Sequence, residues 1–244
     1  MKDDERLKSQ VPFDDGDDGE GEEYSLETEA IEEENFEPRC ACLLLLDTSG
    51  SMSGGPIREL NEGIQDFKRE LENDELAALR VEPAIVTFSS TVETVAEFGT
   101  VDRFNPPLLQ TGGATMMGAG ILKAITMIEE RKRYYDKHAL ERWRPWIWLI
   151  TDGGPTDQWR EAARQVHEGV KEGRFLFFAV GTGGANFSTL GEISVMPPVK
   201  LKEASFGKMF QWLSRSMRSV SRSSPDVQKM EMESVGEWGA INIR

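Results

Sequence analysis

Apolar residues follow two rhythms along this chain. Unbroken runs such as Leu43–Leu46 and Trp146–Ile150 read as strands buried on both faces. Between the runs, apolar residues recur every three or four positions, which marks one buried face of a helix. The first strand starts at Cys40 and stops at Asp47. Pro56 then stands where a helix begins, a position proline tolerates, and Ile57, Leu60, Ile64, Phe67 and Leu71 form its stripe. A strand over 81–89 follows, with 92–98 folding back beside it as an antiparallel edge. A loop with Pro106 and Pro107 leads to Gly112-Gly113-Ala114-Thr115. Met117, Ile121, Leu122, Ile125 and Ile128 predict the next helix.

Residues 129–144 are polar and aromatic and fit no element cleanly; their run Arg131-Lys132-Arg133 reads as a solvated helix end. Trp146–Thr151 is a central strand. Trp159, Ala162, Ala163, Val166 and Val170 mark a helix, Phe175–Val180 a strand, and Gly181–Gly184 a loop. A short helix near Phe187–Ile193, an edge strand at Val199–Leu201 and an amphipathic helix carrying Phe206, Met209, Phe210, Leu213, Met217 and Val220 complete the pattern. Its serine-rich end, Ser214–Ser224, reads as a solvated helix end or a kinase target. Strands alternating with helices predict an α/β fold: a doubly wound, mostly parallel six-stranded sheet with helices on both faces and one antiparallel edge strand.

The length of 244 residues, 39% of them hydrophobic, fits one domain with extensions. We place the domain at 40–222, an acidic and disordered extension at 1–39 and a C-terminal tail at 223–244. The net charge of −15 is uneven: residues 1–39 hold 16 acidic against 4 basic groups, which leaves the remainder mildly acidic. No basic stripe meets nucleic acid, no stretch is apolar enough for a membrane, and the first residues are unlike a signal peptide. The two cysteines, Cys40 and Cys42, are too sparse for a zinc site and read as core residues. These features together point to the cytoplasm.

The chemistry sits where the first strand ends. In an extended segment, positions i, i+2 and i+4 share a face, so Asp47, Ser49 and Ser51 turn one carboxylate and two hydroxyls the same way. Oxygen donors without thiol or imidazole suit a hard divalent cation, Mg²⁺ before Mn²⁺ or Ca²⁺. In doubly wound sheets, ligands bind at the carboxyl ends of strands. A catalytic reading needs more than this. An aspartate at this position also opens the haloacid dehalogenase-type phosphatases, but Ser49 stands where they place a general acid. His138 and His167 lie on predicted helices away from the strand ends, and no nucleophile elbow or Walker loop is present. The expectation is a protein that is not an enzyme.

The segment LLLLDTSGSM, with Thr115 in QTGGATMMG and Asp152 in WIWLITDGGPTD, resembles the von Willebrand factor A (VWA) domain and its metal ion-dependent adhesion site (MIDAS). The resemblance implies strand order 3-2-1-4-5-6 and five metal-site residues: Asp47, Ser49, Ser51, Thr115 and Asp152. It implies that the three hydroxyls bind directly and the two aspartates mostly through waters. A metal so short of negative ligands attracts a carboxylate from a partner protein.

Longer blocks, RPWIWLITDGGPTDQW, FLFFAVGTGGANFSTLGEIS and FGKMFQWLSRSMRSVSRSS, resemble bacterial VWA proteins of the tellurite-resistance TerY type. That resemblance implies an adaptor working with a Ser/Thr kinase and a PP2C-type phosphatase in stress response or phage defence. Two other roles stay open: a client-recognition subunit for a AAA+ ATPase, and a metal-dependent phosphohydrolase. The chain departs from the TerY pattern in its acidic extension and in Gly154, where an acidic residue often follows TDG.

Overall fold

In the computed structural model, residues 35–202, 205–225 and 239–240 are described. Seven strands form one sheet in the order β3-β2-β1-β4-β5-β6-β7. They are β1 (Cys40–Asp47), β2 (Val81–Phe88), β3 (Val92–Ala96), β4 (Trp146–Thr151), β5 (Leu176–Gly181), β6 (Val199–Leu201) and β7 (Gly239–Ala240). β2, β1, β4, β5 and β6 run parallel, and β3 is the expected antiparallel edge. The two-residue β7 adds a second antiparallel edge beyond β6. The expected six strands thus appear in the implied order, with β7 extending them.

The unbroken apolar runs are sorted by the pleat, since successive side chains point to opposite faces. Leu44, Leu46, Trp148, Ile150, Phe178 and Val180 face one layer, packed with α1 (Gly55–Glu72) and α6 (Phe206–Arg222). Leu43, Leu45, Ile147, Leu149, Phe177 and Ala179 face the other, with α3 (Met117–Lys137), α4 (Arg160–Lys171) and α5 (Phe187–Ile193). Burial on both faces explains why the strands read as solid apolar runs.

The structure departs from the sequence reading in several places. A six-residue helix, α2 (Glu75–Arg80), was not anticipated; the Asp74 side chain caps it by accepting from the Ala77 amide at 3.0 Å. Residues 129–137 continue α3 instead of standing apart. Their register is set by Glu82 on β2, a buried carboxylate that takes Arg131 Nε at 2.8 Å and the Tyr135 hydroxyl. Arg131 is therefore a buried-pair partner and not a solvated helix end. Ser214, Ser216 and Ser221 are buried in α6, and Ser214 Oγ donates to the Phe210 carbonyl at 2.9 Å. That burial removes them as kinase targets.

The extension expected over 1–39 lies outside the described residues as far as position 34. One compact unit spans Phe36–Arg244. Arg39 is bound into it: its Nε pairs with Glu82 at 2.9 Å, and its backbone bonds Glu141 and Trp143. The fold therefore starts a few residues before Cys40. Of the tail expected over 223–244, only 223–225 and 239–240 are described. Cys40 and Cys42 are free and buried as expected, and burial, with Glu82 nearby, pushes the Cys40 thiol up to about 12.

Candidate metal site

β1 delivers Asp47 to the carboxyl edge of the sheet fully buried. The chain leaves the strand through Thr48, whose amide donates to the Phe88 carbonyl at 3.0 Å, and enters a 3₁₀ turn at Gly50–Met52. This tight return aims Ser49 and Ser51 at the same point. Asp47 Oδ1 accepts from the Ser49 amide at 2.8 Å, and Oδ2 accepts from Thr151 Oγ1 at 2.5 Å. The Ser49 and Ser51 hydroxyls lie 3.1 Å apart, and Ser51 Oγ donates to Asp152 Oδ1 at 2.6 Å. Four of the five predicted residues therefore form one hydrogen-bonded chain from β1 to β4.

Thr115 reaches the same edge by a different route. Gly112 donates to the Thr48 carbonyl at 2.9 Å, and Gly50 donates to the Gly113 carbonyl at 3.2 Å, so its loop is laced to the first motif through backbone. Gly113 has φ +77°, and a Cβ there would fall 2.3 Å from Ser90 Oγ, so this turn requires glycine. Among the described residues, the Thr115 hydroxyl has no hydrogen bond to the other four.

Three supporting residues escaped the sequence reading. Thr151 holds Asp47. Thr156 clamps Thr115 twice, accepting from its amide at 3.1 Å and donating to its carbonyl at 2.9 Å. Asp157 caps α3 with both oxygens, accepting from Gly118 and Ala119 at 2.9 and 2.8 Å. All three lie in the TDGGPTD segment beside Asp152, whose density of Thr and Asp was the available signal. The Gly181–Gly184 loop also supports the site. Thr182 donates to the Thr151 carbonyl at 3.0 Å, and a Cβ on Gly184 would lie 2.7 Å from the Asp152 carbonyl. Gly154 packs against Asn186, where an added Cβ would lie 3.2 Å from the asparagine Cβ. His138 and His167 bond backbone carbonyls on α3 and of Glu192, away from this edge.

Burial pushes the Asp47 carboxyl above its ordinary value, and the charge of Asp152 pushes the same way. The hydrogen bonds from Ser49 and Thr151 counter that rise. Among the described residues neither aspartate has a basic side chain for partner. Two carboxylates and three hydroxyls without a balancing cation fit a small divalent metal, which would offset the buried charge. No group of three or more His, Cys, Asp or Glu forms an alternative centre among the described residues.

The profile of the von Willebrand factor type A domain matches residues 43–211. Among solved structures, the von Willebrand factor type A protein from Catenulispora acidiphila shares 16% identity at a TM-score of 0.58, over 74% of this chain and 43% of that one. The vWF domain of the type V pili tip protein Mfa5 from Porphyromonas gingivalis shares 10% identity at a TM-score of 0.58, over 77% of this chain and 98% of that one. Proximal thread matrix protein 1 from the mussel byssus, solved with a zinc-occupied MIDAS motif, shares 17% identity at a TM-score of 0.52, over 77% and 47%. The match thus spans less than half of the first and third of these proteins, and all three likenesses are of fold. No curated protein matches the chain.

Proposed function

The chain belongs to the von Willebrand factor type A domain family, and from that premise we propose that it is a metal-dependent protein-docking module. Ser49, Ser51 and Thr115 supply direct oxygens to the ion. Asp47 and Asp152 orient the hydroxyls and carry the balancing charge. The observation that carries this reading is the hydrogen-bonded chain Asp47–Ser49–Ser51–Asp152, with no cationic partner for buried Asp47 among the described residues. The all-oxygen donor set favours Mg²⁺; the zinc in the byssus protein's MIDAS is a fact about that relative. A metal held by neutral hydroxyls with one open position attracts a carboxylate, which a partner's Glu or Asp supplies.

The function is binding, not turnover. Ser49 occupies the position a phosphatase would give to a general acid, and neither histidine reaches the edge. No helix among the described residues is long and apolar enough to cross a membrane, and we place the protein in the cytoplasm on its sequence character. The blocks RPWIWLITDGGPTDQW and FLFFAVGTGGANFSTLGEIS support the finer reading as a TerY-type adaptor for a Ser/Thr kinase and a PP2C-type phosphatase. Affinity purification of the full chain, in Mg²⁺ and in EDTA, tests both levels. Partners held by wild type only in Mg²⁺ and lost with Asp47→Asn are the expected result, with kinase or phosphatase among them. The same partners in EDTA would contradict metal-dependent docking.

A further inference from the structure

Among the described residues the Thr115 hydroxyl has no hydrogen bond to the other four site residues, so its aim depends on how its backbone is held. Three successive amides hold it. Thr115 itself donates to Thr156 Oγ1 at 3.1 Å. Ala114 donates to Ser90 Oγ at 2.9 Å, and Met116 donates to the Ser89 carbonyl at 2.9 Å. The turn between β2 and β3 therefore grips the chain on both sides of Thr115, through one carbonyl and one side chain. The contact is close, since a Cβ on Gly113 would fall 3.0 Å from the Ser90 Cβ. Two residues before Ser90, the Phe88 carbonyl accepts from the Thr48 amide at 3.0 Å, so the end of β2 braces the Asp47–Ser51 segment as well. Ser90 is exposed, and among the described residues its hydroxyl makes no other hydrogen bond.

We propose that Ser90 is a positioning residue of the metal site: by holding the Ala114 amide it fixes the direction in which Thr115 presents its hydroxyl to the ion. The proposal rests on the metal-binding reading above and adds a residue from outside the segments that supply the five site residues. A backbone pinned on both sides fixes the Cα–Cβ direction of Thr115, and a β-branched side chain then has few rotamers left. Mg²⁺ makes that precision matter, because it demands near-ideal octahedral oxygens at about 2.1 Å. Thr156 does not duplicate the effect. It bonds the amide and carbonyl of Thr115 itself and leaves the Ala114 amide to Ser90. Without the Ser90 hydroxyl that amide turns to water, and the loop loosens beside its ligand.

The test is calorimetric titration of Mg²⁺ into the full chain and three variants, with thermal melting of each in EDTA and in Mg²⁺. Ser90→Ala weakens Mg²⁺ binding about tenfold, the lower end of the range for outer residues that orient a ligand. Ser90→Thr restores it, because the hydroxyl returns. Thr91→Ala is the control: it lies in the same exposed turn, but its hydroxyl bonds Glu93 at 2.9 Å and not the Thr115 loop. It keeps the wild-type affinity. Melting separates position from stability. Ser90→Ala melts near wild type in EDTA and gains less from Mg²⁺. Wild-type affinity in Ser90→Ala, an equal loss in Thr91→Ala, or no recovery in Ser90→Thr overturns the role of Ser90 and leaves the metal site standing. So does a fall in melting temperature as large in EDTA as in Mg²⁺, which would make Ser90 a residue of the fold alone. Wild type that binds no Mg²⁺ overturns the metal reading itself, and the role of Ser90 with it.

Discussion

Two buried carboxylates lie toward opposite ends of the same sheet and are treated in opposite ways. Glu82, near the start of β2, is 1% exposed and surrounded by its own cations, with Arg39 at 2.9 Å and Arg131 at 2.8 Å and the Tyr135 hydroxyl besides. Asp47, at the end of β1, is 0% exposed and receives only an amide and hydroxyls, with a second carboxylate one strand away. A buried charge needs compensation. At Glu82 the chain supplies it from residues 39, 131 and 135, and the outcome is a structural clamp. At Asp47 the described residues supply neutral N–H and O–H donors alone, and on the docking reading proposed above the compensation falls to a metal ion. Compensation from within marks architecture; compensation left to a ligand marks function.

The sharpest way to break this contrast is to remove each acid in turn. Glu82→Ala removes the buried carboxylate that Arg39 and Arg131 share and costs about 3–5 kcal/mol in urea unfolding, with the metal affinity of the folded protein unchanged. A loss below about 1 kcal/mol would show that Glu82 is no clamp. Asp47→Asn keeps shape and acceptor but removes the charge. Wild type gains about 2.7 kcal/mol at a metal concentration one hundred times Kd, and the variant gains little at the same concentration. Equal gains in both would place the ion elsewhere.

Smaller effects refine the picture around the site. Asp157→Ala frees two amides at the start of α3 and costs about 2 kcal/mol. It also weakens metal binding, because the same segment clamps Thr115; stability lost with affinity intact would separate the cap from the site. Asp74 provides the acid-side control. Burial pushes its carboxyl up, yet the Ala77 amide and Arg222 outweigh that and hold it below the ordinary 3.8. The folded state then binds fewer protons than the unfolded one near that pH. Its contribution is complete above 3.8 and disappears as pH falls through the folded value. Asp74→Ala should cost about 1 kcal/mol at neutral pH and flatten the acid limb of the stability curve, whatever the metal concentration.

The sequence was most legible where local pattern alone decides the structure. The solid runs of β1, β4 and β5 and the stripe of α1 were visible because both need only neighbours in the chain. The end of α3 was illegible because Arg131 and Tyr135 take their meaning from Glu82, about fifty residues earlier. α2 was missed because six residues are too few to show a stripe, and its one signal, Asp74 as a cap, is common in loops. The buried serines of α6 looked solvent-facing because a small hydroxyl that bonds its own helix, as Ser214 does to Phe210, packs like an apolar residue. At the site, the aspartates and the closely spaced Ser49 and Ser51 stood out, whereas Thr151 and Thr156 did not. A threonine declares its role only when its partner is in view.

The central claim is that Asp47 is compensated by a metal, and calorimetric titration of Mg²⁺ into wild type and Asp47→Asn tests it most directly. The account predicts saturable binding at one site in wild type, with affinity reduced at least about tenfold in the variant. Absence of binding to wild type, or equal binding to both proteins, would contradict it.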